Sequence, residues 1–255
     1  MHSLGHASTV LPRRCRPCRL IWDKRHGMKA EHSNLRRFEA AMPLKPKAPK
    51  TTTAPDASKI AAFDFDGTLT WTDSFTAFLR MQCGDARIAG VFASRPGILL
   101  DYVRTGDRGA LKSRLIYSLL GPISQEDLET RMQAFVTKTG RKLFRPDALD
   151  AWTMLNRPDR LRVIVTASPD ILVRPFGKMI GADRVIGTRL GFSADGHLLP
   201  DLDGVNCRGE EKMRRLREVF GESLVLESAY GDTKGDREMI AAAQNGHYRV
   251  FKGKP

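Results

Sequence analysis

From Lys59 onward the chain alternates short, continuous apolar runs with longer stretches of helical periodicity. The first run, Lys59-Ile-Ala-Ala-Phe-Asp-Phe65, ends in acid and glycine, as a buried strand feeding a loop does. Leu161-Arg-Val-Ile-Val-Thr166 is a second run, ending at Ala-Ser-Pro, and Leu224 to Tyr230 is a third, ending at Gly231-Asp232. All three therefore stop at polar residues equipped for chemistry.

About 95 residues separate the first two runs, and their periodicity predicts helices over 73–83, 110–120, 124–139 and 146–156. Ser124 and Asp127 stand as a capping pair for the third of these. A strand-to-strand crossover needs far fewer residues, so the stretch is expected to be an insertion with structure of its own. Beyond Thr166 the pattern predicts a helix near 170–180, a hairpin about Ser193-Ala-Asp-Gly196, and a helix from about 209 to 220. The third run, a helix over 236–244 and a last strand from His247 to Phe251 follow. Strands alternating with helices predict an α/β fold with a doubly wound, mostly parallel sheet. The expected division is a core of 59–72 and 157–255, with a helical cap inserted at 73–156. Ligands bind beyond the carboxyl ends of the strands in such a sheet, where the three polar endings would converge.

Composition changes the picture mainly for the leader. Residues 1–58 hold 12 Lys or Arg against 4 Asp or Glu, whereas the remaining 197 hold 30 against 25, so most of the net +13 belongs to the leader. With Pro at 12, 17, 43, 46, 49 and 55 and no sustained apolar periodicity, it is expected to be a disordered basic tail. It reads either as an organelle leader or as sequence upstream of a start at Met28 or Met42, and the second is the expectation. It lacks the aromatic interleaving of single-strand binders, so no nucleic-acid partner is expected. Cys15, Cys18, Cys83 and Cys207 are too scattered for a disulfide framework, which fits a reducing, cytoplasmic location. Cys15 and Cys18 have the spacing of half a zinc site, but no partner pair follows at zinc-finger spacing.

Asp64-Phe-Asp66-Gly67-Thr68 carries the strongest chemical signal. A carboxylate at Asp64 can attack phosphorus, splitting one difficult displacement into two through an acyl phosphate. Asp66, two residues on and on the same side, can donate a proton to a leaving alkoxide and later accept one from water. Gly67 permits a sharp turn beside a phosphate. The bland alternative is a strand-ending turn, since these residue types favour turns anyway. In Gly231-Asp232-Thr-Lys-Gly-Asp236 two acids stand four apart where a strand enters a helix, which suits Mg2+ shared with Asp64. Acids that favour a helix dipole are the alternative. The Thr166 hydroxyl, assisted by Ser168 and the amides of the next helix, can bind a phosphoryl oxygen, or simply form a turn. Lys212, in Cys207-Arg-Gly-Glu-Glu-Lys212, can oppose phosphoryl charge, or be an exposed helix lysine.

With these four pieces in this order, the chain from Lys59 to about Phe251 resembles a haloacid dehalogenase superfamily phosphatase of subfamily IB, the phosphoserine-phosphatase-like branch. The resemblance implies Asp64 as nucleophile, Asp66 as acid and base, Thr166 as phosphate-binding hydroxyl and Lys212 as the motif lysine. It implies Mg2+ held by Asp64, Asp232 and the backbone carbonyl of Asp66, with Asp236 behind them. Asp66 also resembles the phosphotransferases, because dehalogenases lack the second carboxylate. Phosphoserine phosphatases carry the motif lysine before Gly-Glu, where this chain has Arg208. Cys-x-Gly-x-Glu-Lys is instead similar to a group that includes phosphatidylglycerophosphate phosphatases, which favours Lys212. Asp73, nine residues beyond the nucleophile, is expected either to hold a substrate amine or to cap its helix.

The expected activity is hydrolysis of a small phosphomonoester such as phosphoserine. A phosphatidylglycerophosphate-type lipid phosphatase, a phosphotransferase and a non-enzymatic phospho-binding protein are the alternatives. Substrate choice is expected in the cap, whose Arg80, Arg87, Arg95, Arg104, Arg108, Lys112 and Arg114 face only Asp85, Asp101 and Asp107. That basic face is expected to attract an anionic substrate, or weakly a membrane surface, unless it is a solvated face. A signalling receiver domain also unites acids, Thr, Lys and Mg2+, but its phosphorylated Asp follows a later strand and it lacks a long helical insertion. Oligomeric state is open.

Overall fold

The computed structural model describes residues 59–255. The expectations for the 1–58 tail, including its Cys15 and Cys18, fall outside the described residues.

Five strands form one parallel sheet. β1 (Lys59–Phe63) lies at its centre, flanked by β2 (Arg160–Pro169) and then β3 (Arg184–Thr188) on one side. On the other side are β6 (Leu226–Gly231) and β7 (Asn245–Tyr248). Register runs from Lys59 opposite Arg160 to Phe63 opposite Ile164. Ile60, Ala61, Ala62 and Phe63 are all buried, which is why this run is apolar without alternation. Successive side chains still go to opposite faces. Ala61 and Phe63 join one apolar cluster with Ile164 and Phe176, and Ile60 and Ala62 join another with Val163, Val165 and Leu216. The Phe63 ring stacks on Tyr230 at 4.2 Å and meets Trp152 edge-on at 5.1 Å.

Six helices lie between β1 and β2: α1 (Ser74–Cys83), α2 (Asp85–Ser94), α3 (Pro96–Thr105), α4 (Arg108–Leu120), α5 (Gln125–Leu143) and α6 (Pro146–Met154). The Ser124 hydroxyl accepts from Asp127 N at 3.1 Å, capping α5 as the spacing predicts. Apolar packing is continuous from the sheet into this segment through Phe65, Phe144, Phe176, Phe135 and Phe78. α7 (Asp170–Ile180) packs against α5, while α8 (Glu210–Phe220) and α9 (Arg237–Ala241) cover the opposite face. β4 (Leu190–Phe192) and β5 (Leu198–Leu202) form a separate antiparallel hairpin, and its turn contains Gly196 at φ +79°.

Four details depart from the sequence expectation. Residues 85–105, where no element was expected, are two helices, and Ser94-Arg95-Pro96 is the corner between them, with Pro96 opening α3. Neither helix has a fully buried residue; α2 meets the core only through the half-buried Ile88, Val91 and Phe92, so its stripe is weak. β3 was not expected; it is five residues long and contains Gly187, where a Cβ would meet the Asp170 Cα at 2.9 Å. The helix expected over 236–244 is a 3-10 turn at Lys234–Asp236 followed by the short α9. The last strand is Asn245–Tyr248 rather than 247–251, an edge strand with little burial to impose alternation. Among the described residues no helix is long and apolar enough to cross a membrane.

Candidate active site

The carboxyl ends of β1, β2 and β6 meet around one cavity of about 390 Å3. Asp64 follows β1 directly, and its backbone amide donates to the Tyr230 carbonyl at 2.8 Å, pinning it between neighbouring strands. Its side chain is buried, at 6% exposure. Lys212 on α8 is buried too, and its ammonium donates to Asp64 Oδ1 at 2.6 Å, Asp236 Oδ1 at 2.6 Å and the Val165 carbonyl at 2.7 Å. All three donors are thus used, as a buried ammonium requires. Burial alone would lower the Lys212 pKa, but the two carboxylates outweigh it and raise it. Burial pushes Asp64 up to about 7 against the pull of Lys212, with repulsion from Asp236 and Asp232 adding to the rise.

Oxygens of Asp64, Asp232 and Asp236 lie within 4.8 Å of one another. The three do not have equal freedom. Asp236 Oδ1 accepts from Lys212, while Oδ2 accepts from the amides of Asp232 and Thr233 at 3.2 and 2.8 Å and the Thr233 hydroxyl at 2.8 Å. Burial raises its pKa, yet Lys212 and the Thr233 donors outweigh this and hold it low. Among the described residues Asp232 is bound on one oxygen only, by the Thr68 hydroxyl at 3.0 Å. Its carboxylate occupies the space a side chain would need at Gly67, where a Cβ would sit 2.4 Å from Asp232 Oδ2. Gly67 also has φ +90°, so the position demands glycine twice. An all-oxygen set with two under-bonded carboxylates fits a hard divalent cation such as magnesium, and Asp236 fits the role of orienting its neighbours.

Asp66 sits across the cavity. Its Oδ1 accepts from the Ser74 amide at 2.7 Å, at the start of α1, and its Oδ2 accepts from the Ser168 hydroxyl. Burial raises its pKa, opposed by Lys112. Thr166 is buried at the end of the apolar run, and its hydroxyl accepts from the Ser168 amide at 3.0 Å. Asp73 caps α1 through the Thr76 amide at 2.7 Å and pairs with Lys112 at 3.1 Å. Lys212, not Arg208, occupies the position beside Asp64; Arg208 lines the cavity farther along.

Sequence reasoning assigned no site role to Lys112, whose ammonium also donates to Ser168 Oγ at 3.0 Å. Nor did it single out Tyr102 of α3 or Asn206 of the loop before α8, which line the same cavity. None belongs to a motif. The hint for Lys112 was its place in the basic run at the start of α4.

A model of the haloacid dehalogenase-like hydrolases matches residues 61–241. The chain is 47% identical over 196 residues to "Protein CicA" of Caulobacter vibrioides (strain NA1000 / CB15N), covering 77% of this chain and 88% of that relative. It shares its fold with a protein of unknown function from Bordetella pertussis Tohama I, with a TM-score of 0.60 and 23% identity over 73% of this chain and 87% of that one. A HAD family hydrolase from Salmonella enterica subsp. enterica serovar Typhi superposes with a TM-score of 0.54 and 18% identity, covering 74% of this chain and 61% of that one. By this family match, which spans most of its length, the chain belongs to the haloacid dehalogenase-like hydrolases.

Proposed function

We propose that the protein is a magnesium-dependent phosphatase that hydrolyses a small phosphomonoester through a phosphorylated Asp64. The observation that carries this reading is the buried ammonium of Lys212 at 2.6 Å from Asp64, beside the oxygens of Asp232. Asp64 attacks phosphorus, and the bond to the leaving oxygen breaks as Asp66 gives that oxygen a proton. Asp66 then takes a proton from the water that attacks the phosphoryl group and frees Asp64. Ser168 and the Ser74 amide hold the Asp66 carboxyl in place for both transfers. The Thr166 hydroxyl binds a phosphoryl oxygen, and the positive charge of Lys212, held beside Asp64, opposes the phosphoryl charge. Asp64, Asp232 and the Asp66 carbonyl would hold magnesium, which when bound would supply positive charge to offset the phosphoryl oxygens and the clustered acids.

In this reading residues 73–156 form a subfamily IB cap over a core of 59–72 and 157–255, and the protein works in the cytoplasm. Purified protein should release phosphate from p-nitrophenyl phosphate with magnesium and lose that activity on chelation. Asp64→Asn should abolish turnover while keeping the circular dichroism spectrum. Full activity in that variant would sink the reading.

A lipid phosphate is the second reading, favoured by one surface. Leu99, Leu100 and Val103 are exposed on α3, beside Arg95 and Arg104, an arrangement suited to an anionic membrane surface.

A further inference from the structure

The cavity wall away from Asp64 carries more positive charge than a simple phosphomonoester needs. Lys112 and Asp73 neutralise each other at 3.1 Å, and the other Asp73 oxygen is taken by the Thr76 amide. Among the described residues the carboxylate on this wall is thus already ion-paired, and a substrate ammonium would have to share Asp73 with Lys112.

Two guanidiniums remain. Arg108 opens α4, and it donates to a neutral group, the Tyr102 hydroxyl, at 3.3 Å. Arg208 comes from the loop before α8, and neither arginine is ion-paired among the described residues. Close packing brings the two elements together. A Cβ at Gly109, next to Arg108, would stand 2.8 Å from the Asn206 Cβ, so the first turn of α4 presses on the loop that carries Arg208. Arg208 in turn lies across Gly235, where a Cβ would meet its Cγ at 2.5 Å. Asn206 lines the cavity between them, and its carbonyl oxygen is already held by the Thr188 hydroxyl at 3.0 Å, leaving its amide donors for a ligand. Two guanidiniums and a carboxamide converging on one small cavity are matched by a group with several acceptor oxygens and about two charges, which is a phosphate rather than a carboxylate.

We infer that the substrate's leaving group carries a second phosphate, bound by Arg108, Arg208 and Asn206. The inference rests on the phosphatase reading and narrows its substrate class to compounds with two phosphate groups. The second phosphate is the monoester of a soluble bisphosphate, with about two charges, or the singly charged diester of a phospholipid headgroup; guanidiniums recognise the oxygens of both, and the pair of arginines matches the doubly charged group better.

The test compares kcat/KM for fructose bisphosphate and bisphosphoglycerate with that for glycerol phosphate and phosphoserine. A further arm offers phosphatidylglycerophosphate in phosphatidylcholine vesicles, with p-nitrophenyl phosphate as reference. The expected result is a preference of about 10- to 100-fold for a two-phosphate substrate in the soluble or the vesicle arm. Arg108→Gln and Arg208→Gln should each reduce that preference about tenfold relative to p-nitrophenyl phosphate. Calorimetric binding of the preferred substrate to Asp64→Asn protein should weaken by a similar factor when either Gln replacement is added. Equal use of one- and two-phosphate substrates, or a preference for phosphoserine, overturns the inference while p-nitrophenyl phosphate hydrolysis keeps the phosphatase reading intact. No hydrolysis of p-nitrophenyl phosphate by the unaltered protein overturns both.

Discussion

The ammonium of Lys212 stands 2.6 Å from Asp64 Oδ1 and 2.6 Å from Asp236 Oδ1, with all three groups buried. One cation thus joins the end of β1 to the loop after β6, so the same ion pairs that shape the site also tie the sheet's carboxyl edge together.

Removing that cation should therefore damage stability as well as turnover. Lys212→Met leaves two buried carboxylates without their partner, an imbalance that costs roughly 3–5 kcal/mol. The expected outcome is a clear drop in Tm for the metal-free protein, measured by calorimetry, together with loss of phosphate release. A variant as stable as the parent would show that the pair contributes little.

Asp66→Asn keeps the shape that the Ser74 amide and Ser168 recognise but cannot donate a carboxyl proton to the leaving oxygen. Alkyl phosphates need that proton more than aryl phosphates do. The variant should lose about 100- to 10,000-fold in kcat with an alkyl ester and distinctly less with p-nitrophenyl phosphate. Equal losses on both would argue that Asp66 acts by position alone.

Gly67→Ala places a methyl group where Asp232 Oδ2 now lies and forces alanine into a left-handed backbone. Displacing Asp232 should weaken magnesium binding by about 10- to 100-fold, read from the magnesium dependence of activity and from direct titration. Unchanged magnesium dependence would remove Asp232 from the metal site.

Away from the site, Glu211 bridges Arg214 and Arg215, and those contacts hold its carboxyl at about 2 against an ordinary 4.5. A lowered carboxylate stabilises the fold above the unfolded value, and that contribution fades as pH falls from about 4.5 towards 2. Glu211→Gln should show a shallower loss of Tm across that window than the parent. Parallel curves would contradict the assignment.

The sheet was legible because β1 and β2 are buried on both faces, β1 as an apolar run after Lys59 and β2 as one interrupted only by Arg162 between Leu161 and Val165. The acids were legible because each stands directly after such a run. What stayed hidden had a weak periodic signature: α2 only half-buries Ile88, Val91 and Phe92, α3 buries no residue, and β7 is an edge strand. Lys112, Arg108 and Arg208 reach the cavity through tertiary packing, with Gly109 and Gly235 making room for the neighbouring elements. No spacing along the chain encodes that convergence. Likewise, no spacing told which of Arg208 and Lys212 would lie at Asp64; in the fold it is Lys212.

The central claim concerns a covalent step on one carboxylate, and acid-quenched single-turnover mass spectrometry reads it directly. Mixed with magnesium and p-nitrophenyl phosphate, the protein should carry one phosphoryl group on the peptide containing Asp64, formed before phosphate release and lost with it. Asp64→Asn should show none. A phosphoryl group on another residue, or turnover with Asp64 unmodified at every quench time, would contradict the account.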